Sequence, residues 1–375
     1  MYPPTHIIDP DGEVMILLRD ANSEFAQPYD MTVFDSSSED ERRISGIKES
    51  PFEKLPDETP EFRIQVSAKH LMFASPVFKK LLTGHFKESV TYWQEGSVEI
   101  TAESWDLEAF MIVLRAIHGL HAEIPQELSL EMVAKVAVIA DYYDCKAVLY
   151  LMTDMWLNSM EKINYEEVKL SMAVVRDLII WLWISWTFQL SSKFKETTSI
   201  AMSRSFGLID SLGLPIPHAV IESMNKIRQG AINELLILFH ETRDEFLHGI
   251  RGCCFCCRTM LYGALTFGMR SASLTLPKPE TPFTELSYYD LVRRIEQFHI
   301  PSFDHGGGSS DDEETSSSEH GEISPEPEQE IPLTPNYFGG ACPFHEEDCV
   351  GDLKKLMTGR SGYLEGLARE DFPIS

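Results

Sequence analysis

Apolar and polar residues alternate with a period of two in Phe62-Arg63-Ile64-Gln65-Val66, the spacing of a half-buried β-strand. Glu13-Val14-Met15-Ile16-Leu17-Leu18 is apolar almost throughout and reads as a buried strand, with Val98-Glu99-Ile100 as a short one. The period then changes to that of a helix. Ser75-Pro76 has the form of an N-cap followed by proline at the first helical position, with Val77, Phe78, Leu81 and Leu82 as the buried face. Ser104 is expected to cap the next helix, with Asp106 and Glu108 near its positive end and Leu107, Phe110, Met111 and Leu114 on one face. Ser129 caps a further helix that buries Leu130, Val133, Ala134 and Ala137. Asp144 precedes another that carries Val148, Leu151, Met152 and Met155.

Downstream the pattern is helical. Tyr165, Val168, Met172, Val175, Ile179, Leu182 and Trp186 step by three and four. Such a stripe suits either a coiled-coil seam or a core helix. The opposite face carries Ile180, Trp181 and Trp183 and also needs cover, which favours the core helix. Helical patterning covers residues 216–249, with Pro215 and Pro217 at its start and Gly249 at its stop. After an apolar segment ending at Leu265, Pro277, Pro279 and Pro282 suggest an extended linker. A short helix is expected over 288–297 and a helical tail over 352–367.

Three fragments, in order, carry a resemblance. The segment FRIQVSAKHLMFASPVFKKLLTGHFKES, residues 62–89, is similar to the opening of a BTB/POZ domain after its first strand. WDLEAFMIVLRAIHGL resembles the family's next helix and turn, and VAVIADYYDCKAVL its helix ending in Ala-Asp-Tyr-Tyr. The chain is identified as a BTB/POZ-domain protein, and its long C-terminal extension resembles those of filamentous-fungal members. The resemblance implies an α+β fold, a bundle of short helices capped by a small sheet. It also implies a non-enzymatic scaffold or adaptor that binds other proteins through the BTB surface. Two further readings stay open. The protein acts mainly through its helical C-terminal half, or it is a substrate adaptor of a cullin-type ubiquitin ligase. Cullin-binding members often place an apolar-x-Glu motif before the third main helix, and His118-Gly119-Leu120-His121-Ala122-Glu123-Ile124-Pro125 has no clean copy of it. Animal members often swap an N-terminal helix between subunits. Too few residues precede the first strand here for that helix, so a domain-swapped homodimer is not expected.

The resemblance implies the limits of the first domain, and composition those of the polar and acidic segments. The BTB/POZ domain is placed at 1–160, interrupted by a disordered insertion at 22–60 that contains Ser36-Ser37-Ser38-Glu39-Asp40-Glu41. A mainly α-helical domain follows at 161–300, a disordered acidic linker at 301–335, and a segment with a short helix at 336–375. The net charge of −27 repels phosphate backbones, so no nucleic-acid partner is expected. Met1-Tyr2-Pro3-Pro4 does not begin a signal peptide. The longest apolar stretch, 178–190, is broken by Ser185, Thr187 and Gln189, and a span needs about 20 apolar residues. No membrane partner is expected, and the location is read as cytoplasmic or nuclear.

No Gly-x-Ser-x-Gly or His-Glu-x-x-His occurs, and Gly306-Gly307-Gly308 lacks the Lys-Ser/Thr of a phosphate loop. Ser36, Ser37, Ser38, Ser309 and Ser310 each have an acidic residue three positions on, and Arg42-Arg43-Ile44-Ser45 suits a basophilic kinase. These runs read equally as unmodified linker. Six of the seven cysteines concentrate in two places, with Cys145 elsewhere. Cys254-x-x-Cys257, with Cys342, His345 and Cys349, has ligand types and spacings that suit a closed zinc tetrahedron. The competing reading is a set of unrelated reduced thiols. Elemental analysis of protein purified without added metal separates the two. Zinc at stoichiometric level in the wild type, lost in a Cys254→Ser, Cys257→Ser double variant, is the expected result, and its absence from both returns the cysteines to ordinary thiols.

Overall fold

Four strands form one sheet: β1 (His6–Ile7), β2 (Val14–Arg19), β3 (Phe62–Val66) and β4 (Val98–Glu103), in the order β1-β3-β2-β4. The computed structural model describes residues 3–27, 61–160, 172–274, 279–299 and 351–372. β2 pairs antiparallel with β3, Val14 opposite Val66 and Ile16 opposite Ile64. On its other edge it pairs parallel with β4, Ile16 beside Ile100 and Leu18 beside Ala102. This register puts Val14, Ile16, Leu18, Ile64, Val66, Val98, Ile100 and Ala102 on one buried face. A slip of one residue would turn that set outward.

The chain forms two compact units. The first comprises Met1–Gln229, Thr284–Tyr288 and Tyr363–Ser375, and the second Gly230–Phe283 and Tyr289–Gly362. In the first unit α1 (Ala68–Ala74), α2 (Pro76–Thr83) and α3 (Lys87–Glu95) connect β3 to β4. They are followed by α4 (Leu107–Ile117), α5 (Leu130–Tyr142), α6 (Tyr150–Ser159), α7 (Met172–Thr187) and α8 (Ser191–Arg204). Ser75 caps α2 as expected. Its hydroxyl accepts from the Phe78 N–H at 3.0 Å and donates to the Tyr143 carbonyl at 2.5 Å, so one buried side chain ties the start of α2 to the end of α5. Phe78 stacks on Tyr143 with ring centroids 4.3 Å apart. Burial pushes the Tyr143 phenol up to about 12.

Several helical expectations need correction. α4 is capped by Asp106, whose carboxylate accepts from the Ala109 N–H at 3.1 Å. Ser104 instead ends β4, with its N–H on the Arg19 carbonyl and a positive φ. Val77 faces solvent, because Phe78 and Leu82 fill the inward side of α2. Leu151 and Met155 are also exposed, because Met152 and Trp156 take the core-facing positions of α6. The insertion expected to be disordered from Asn22 is packed at its start. The Asn22 side chain accepts from the Leu107 N–H at 3.0 Å, and Ala26 is buried. Residues 28–60 lie outside the described residues, as do 301–350.

α7 is a core helix. Leu178 through Ile184 are all buried, and Ile179, Leu182 and Trp186 of the stripe are among the buried residues. α5 and α8 supply the cover that both faces require. The Arg176 guanidinium donates to the Ala26 and Phe25 carbonyls and meets Glu131 at 2.6 Å. Burial raises the Glu131 carboxyl, but hydrogen bonds from Lys135 and Arg176 outweigh it and hold the group below its ordinary range. The first unit therefore continues past residue 160, where the family resemblance ends. Further along, buried Arg228 donates to the Ser205 and Leu286 carbonyls, and burial lowers its guanidinium to about 10.

The second unit is helical, as expected for the C-terminal region. α9 (His218–His248) enters it at Gly230 and stops at Gly249, whose φ is positive. α10 (Phe255–Ser271), α11 (Tyr288–Glu296) and α12 (Gly351–Met357) follow. Its core includes Phe239, Leu261, Leu265, Met269 and Phe298. Gly268 lies so close to the Phe298 ring that a Cβ would collide with it. The helical tail expected to reach residue 367 ends at Met357. Residues 364–367 run along α8 within the first unit, where α8 offers a row of hydroxyls. The Leu364 N–H donates to Ser203, the Ser199 hydroxyl to the Leu364 carbonyl, and the Leu367 N–H to Thr198. Backbone that bonds to a neighbouring helix in this way cannot also close its own helical ladder.

Phe78→Ala removes a fully buried ring and is expected to cost ~3–5 kcal/mol in chemical unfolding of the first unit. A cost below ~1 kcal/mol would mean that the ring is not buried. A second expectation concerns His118. Its Nε2 accepts from the Ser67 N–H at 3.0 Å while Nδ1 lies 2.7 Å from the Leu114 carbonyl, a pair of partners that only the neutral ring satisfies. Burial, with His70 nearby, lowers its pKa. A lowered folded value means that its contribution is complete above the unfolded pKa, about 6.5, and is lost as the pH falls from there towards the folded value. Unfolding free energies of the wild type and His118→Gln should therefore differ most above that pH and converge as the pH falls below it. A constant difference would exclude titration of this ring as the cause.

Candidate functional site

Among the described residues of the first unit, a short loop and one helix build an apolar concavity. α4 ends at Ile117, Gly119 turns the chain with φ +75°, and a 3-10 turn follows at His121–Glu123. The loop is then held down by Trp156. This fully buried side chain on α6 donates its indole N–H to the Pro125 carbonyl at 2.9 Å. Between loop and helix lies a groove of about 430 Å³, lined chiefly by His121, Ile124, Val148, Leu151, Met152 and Met155. Leu151 is 81 % exposed at its rim, beside exposed Tyr150.

The groove is suited to receiving an apolar side chain. Its volume falls in the range of sites that take small ligands or anchor residues, and methionine adapts its shape to the occupant. It holds no paired acid and base. Arg115 and Glu123 meet at 3.3 Å near the loop, but both are partly exposed, so the pair contributes less than about 1 kcal/mol. The Asp141-Tyr142-Tyr143 run is the end of packed α5, with Asp141 on Lys146 at 2.7 Å and Tyr143 in the core.

Two of the residues expected to bind metal are described. Cys254 is the N-cap of α10, and its sulfur accepts from the Cys257 N–H at 3.4 Å. Cys257 is fully buried. Cys253 and Cys256 of the same run are exposed. Cys342, His345 and Cys349 lie outside the described residues, as do the serine–acid runs. Among the described residues no cluster of three or more His, Cys, Asp and Glu side chains could hold a metal.

Leu151 and Met155 were missed as surface residues because their helical spacing equals that of the core pair Met152 and Trp156. The available signal was the presence of two apolar stripes on one short helix, since a single core needs only one of them.

Residues 61–159 match the family model for the BTB/POZ domain. No curated protein and no solved structure matches the chain. The matched region starts just before β3, so β2, the other inner strand of the sheet, lies upstream of it. The groove, the capped helices and the Tyr143 core all fall inside it. No helix among the described residues is long and apolar enough to cross a membrane. On the match, the sheet and the helix order together, the chain carries a BTB/POZ domain, a protein–protein interaction module.

Proposed function

We propose that the protein is a non-enzymatic scaffold or adaptor that binds partners through the BTB/POZ surface, with the groove between the 121–126 loop and α6 as the contact. The observation behind this reading is the outward stripe of Leu151 and Met155 on a helix whose inward stripe already serves the core. Apolar residues retained at a solvent-facing groove suit a partner's anchor residue. An adaptor for a cullin-type ligase is a second reading. It is favoured by the groove's use of His121 and Ile124, from the stretch where cullin-binding relatives carry their contact motif.

Affinity purification with mass spectrometry, comparing the wild type with Leu151→Glu, Met155→Glu, tests both. The substitutions are on an exposed rim, so unfolding should change by less than about 1 kcal/mol. Partners that use the groove should fall at least about tenfold, since burying a charge against an apolar anchor costs more than 1.4 kcal/mol. A cullin among the lost partners supports the adaptor. Partners retained by this variant and lost on removing residues 161–375 would move the function to the C-terminal half.

A further inference from the structure

The second unit carries a surface unlike the rest of the chain. Residues 246–279 contain no Asp or Glu, in a protein that has 59 of them. The same stretch includes Arg251, Arg258 and Arg270. Arg251 pairs with Glu245 at 2.9 Å, while among the described residues Arg258 and Arg270 form no ion pair. The stretch begins in the last turn of α9, reverses through Gly249 and Gly252, both at positive φ, and continues as α10. The Arg258 side chain lies across both glycines, and a Cβ at either would strike it.

The outer face of α10 is the reverse of what a surface helix ordinarily shows. Cys257, Leu261, Leu265, Gly268 and Met269 face the core. The exposed positions are Phe255, Cys256, Thr259, Met260, Gly263, Phe267, Arg270 and Ser271. At 3.6 residues per turn they fall within an arc of about 160°, opposite the buried set. Four side chains stand well out from the surface. Ile250 is 77 % exposed, Phe267 74 %, Phe255 61 % and Leu247 60 %.

We propose that this surface docks the protein peripherally on a lipid bilayer with anionic headgroups. Phe255, Phe267 and Ile250 enter the boundary between headgroup and acyl chain, and Arg258 and Arg270 meet the lipid phosphates and carboxylates. Protruding apolar side chains with interspersed arginines and no carboxylates are the composition of an interfacial element. The chain's net charge of −27 opposes approach to an anionic surface, but charges more than about 8 Å away are largely screened at physiological salt. α10, at 17 residues, is about 25 Å long, so the local acid-free surface dominates once contact is made. This binding is independent of the groove on the BTB/POZ domain.

The test is co-sedimentation of the full chain with vesicles of phosphatidylcholine alone or with a third phosphatidylserine. The wild type should bind the phosphatidylserine vesicles, and more weakly as salt is raised. Ile250→Ser, Phe255→Ser, Phe267→Ser should weaken binding at least about tenfold, and Arg258→Gln, Arg270→Gln roughly 20- to 30-fold. Leu151→Glu, Met155→Glu should bind vesicles as the wild type does. Ile250, Phe255, Phe267, Arg270, Leu151 and Met155 are exposed and Arg258 is half-buried, so unchanged circular dichroism and thermal unfolding are required of each variant before its binding is compared. Absence of wild-type binding overturns the proposal, as does equal binding by the two surface variants. A chain that ignores vesicles but self-associates, and turns monomeric in the triple serine variant, would make this surface a contact between copies instead.

Discussion

Everything in the first unit depends on β2 having a partner on each edge. A strand paired on both sides has nowhere to slip. Its buried residues Val14, Ile16 and Leu18 must meet Val66, Ile64, Val98, Ile100 and Ala102 across both ladders at once. That register fixes where β3 and β4 end, and so where α1, α2 and α4 begin. The cost of bringing β2 to β3 across the intervening chain grows only with the logarithm of loop length. A long insertion between two paired strands is therefore compatible with a fixed register.

The groove follows from how α6 is anchored. Trp156 is buried and bonds to the Pro125 carbonyl, which fixes both the helix and the preceding loop. With Met152 and Trp156 committed inward, Leu151 and Met155 are left outside with the loop residue Ile124 facing them. Elsewhere among the helices, the Ser75 hydroxyl joins α2 to α5, and the Phe78 and Tyr143 rings close the contact. The groove rim and the core thus use different residues of the same short helix, α6.

α7 and α8 belong to the same packed unit as the BTB/POZ helices, although they lie beyond the family match. Arg176 binds carbonyls at residues 25 and 26 that a composition-based boundary assigns to a disordered insertion. α8 in turn receives the chain's last described residues on its serine and threonine side chains. The second unit has its own core and an outer surface of a different chemical character, apolar and basic on a chain that is otherwise strongly acidic.

By itself, the sequence determined the strands, most helices, the caps at Ser75 and Ser129, the stop at Gly249 and the family of the first domain. These are local properties. Periodicity, capping chemistry and the conformational range of glycine act over a few residues and read directly from composition and spacing. The sequence also showed that α7 needs cover on both faces. It could not show which residues supply that cover, because the partners Ala134, Ala26 and Glu131 are far away along the chain. Tertiary structure alone decided that Asp106 rather than Ser104 caps α4, since Ser104 is used to end a strand. It also decided which of two equally spaced apolar stripes on α6 is core, and that the chain after Met357 leaves the helix to bond with α8. In each case identical local signals allowed two outcomes, and competition for one set of buried or hydrogen-bonding positions selected between them.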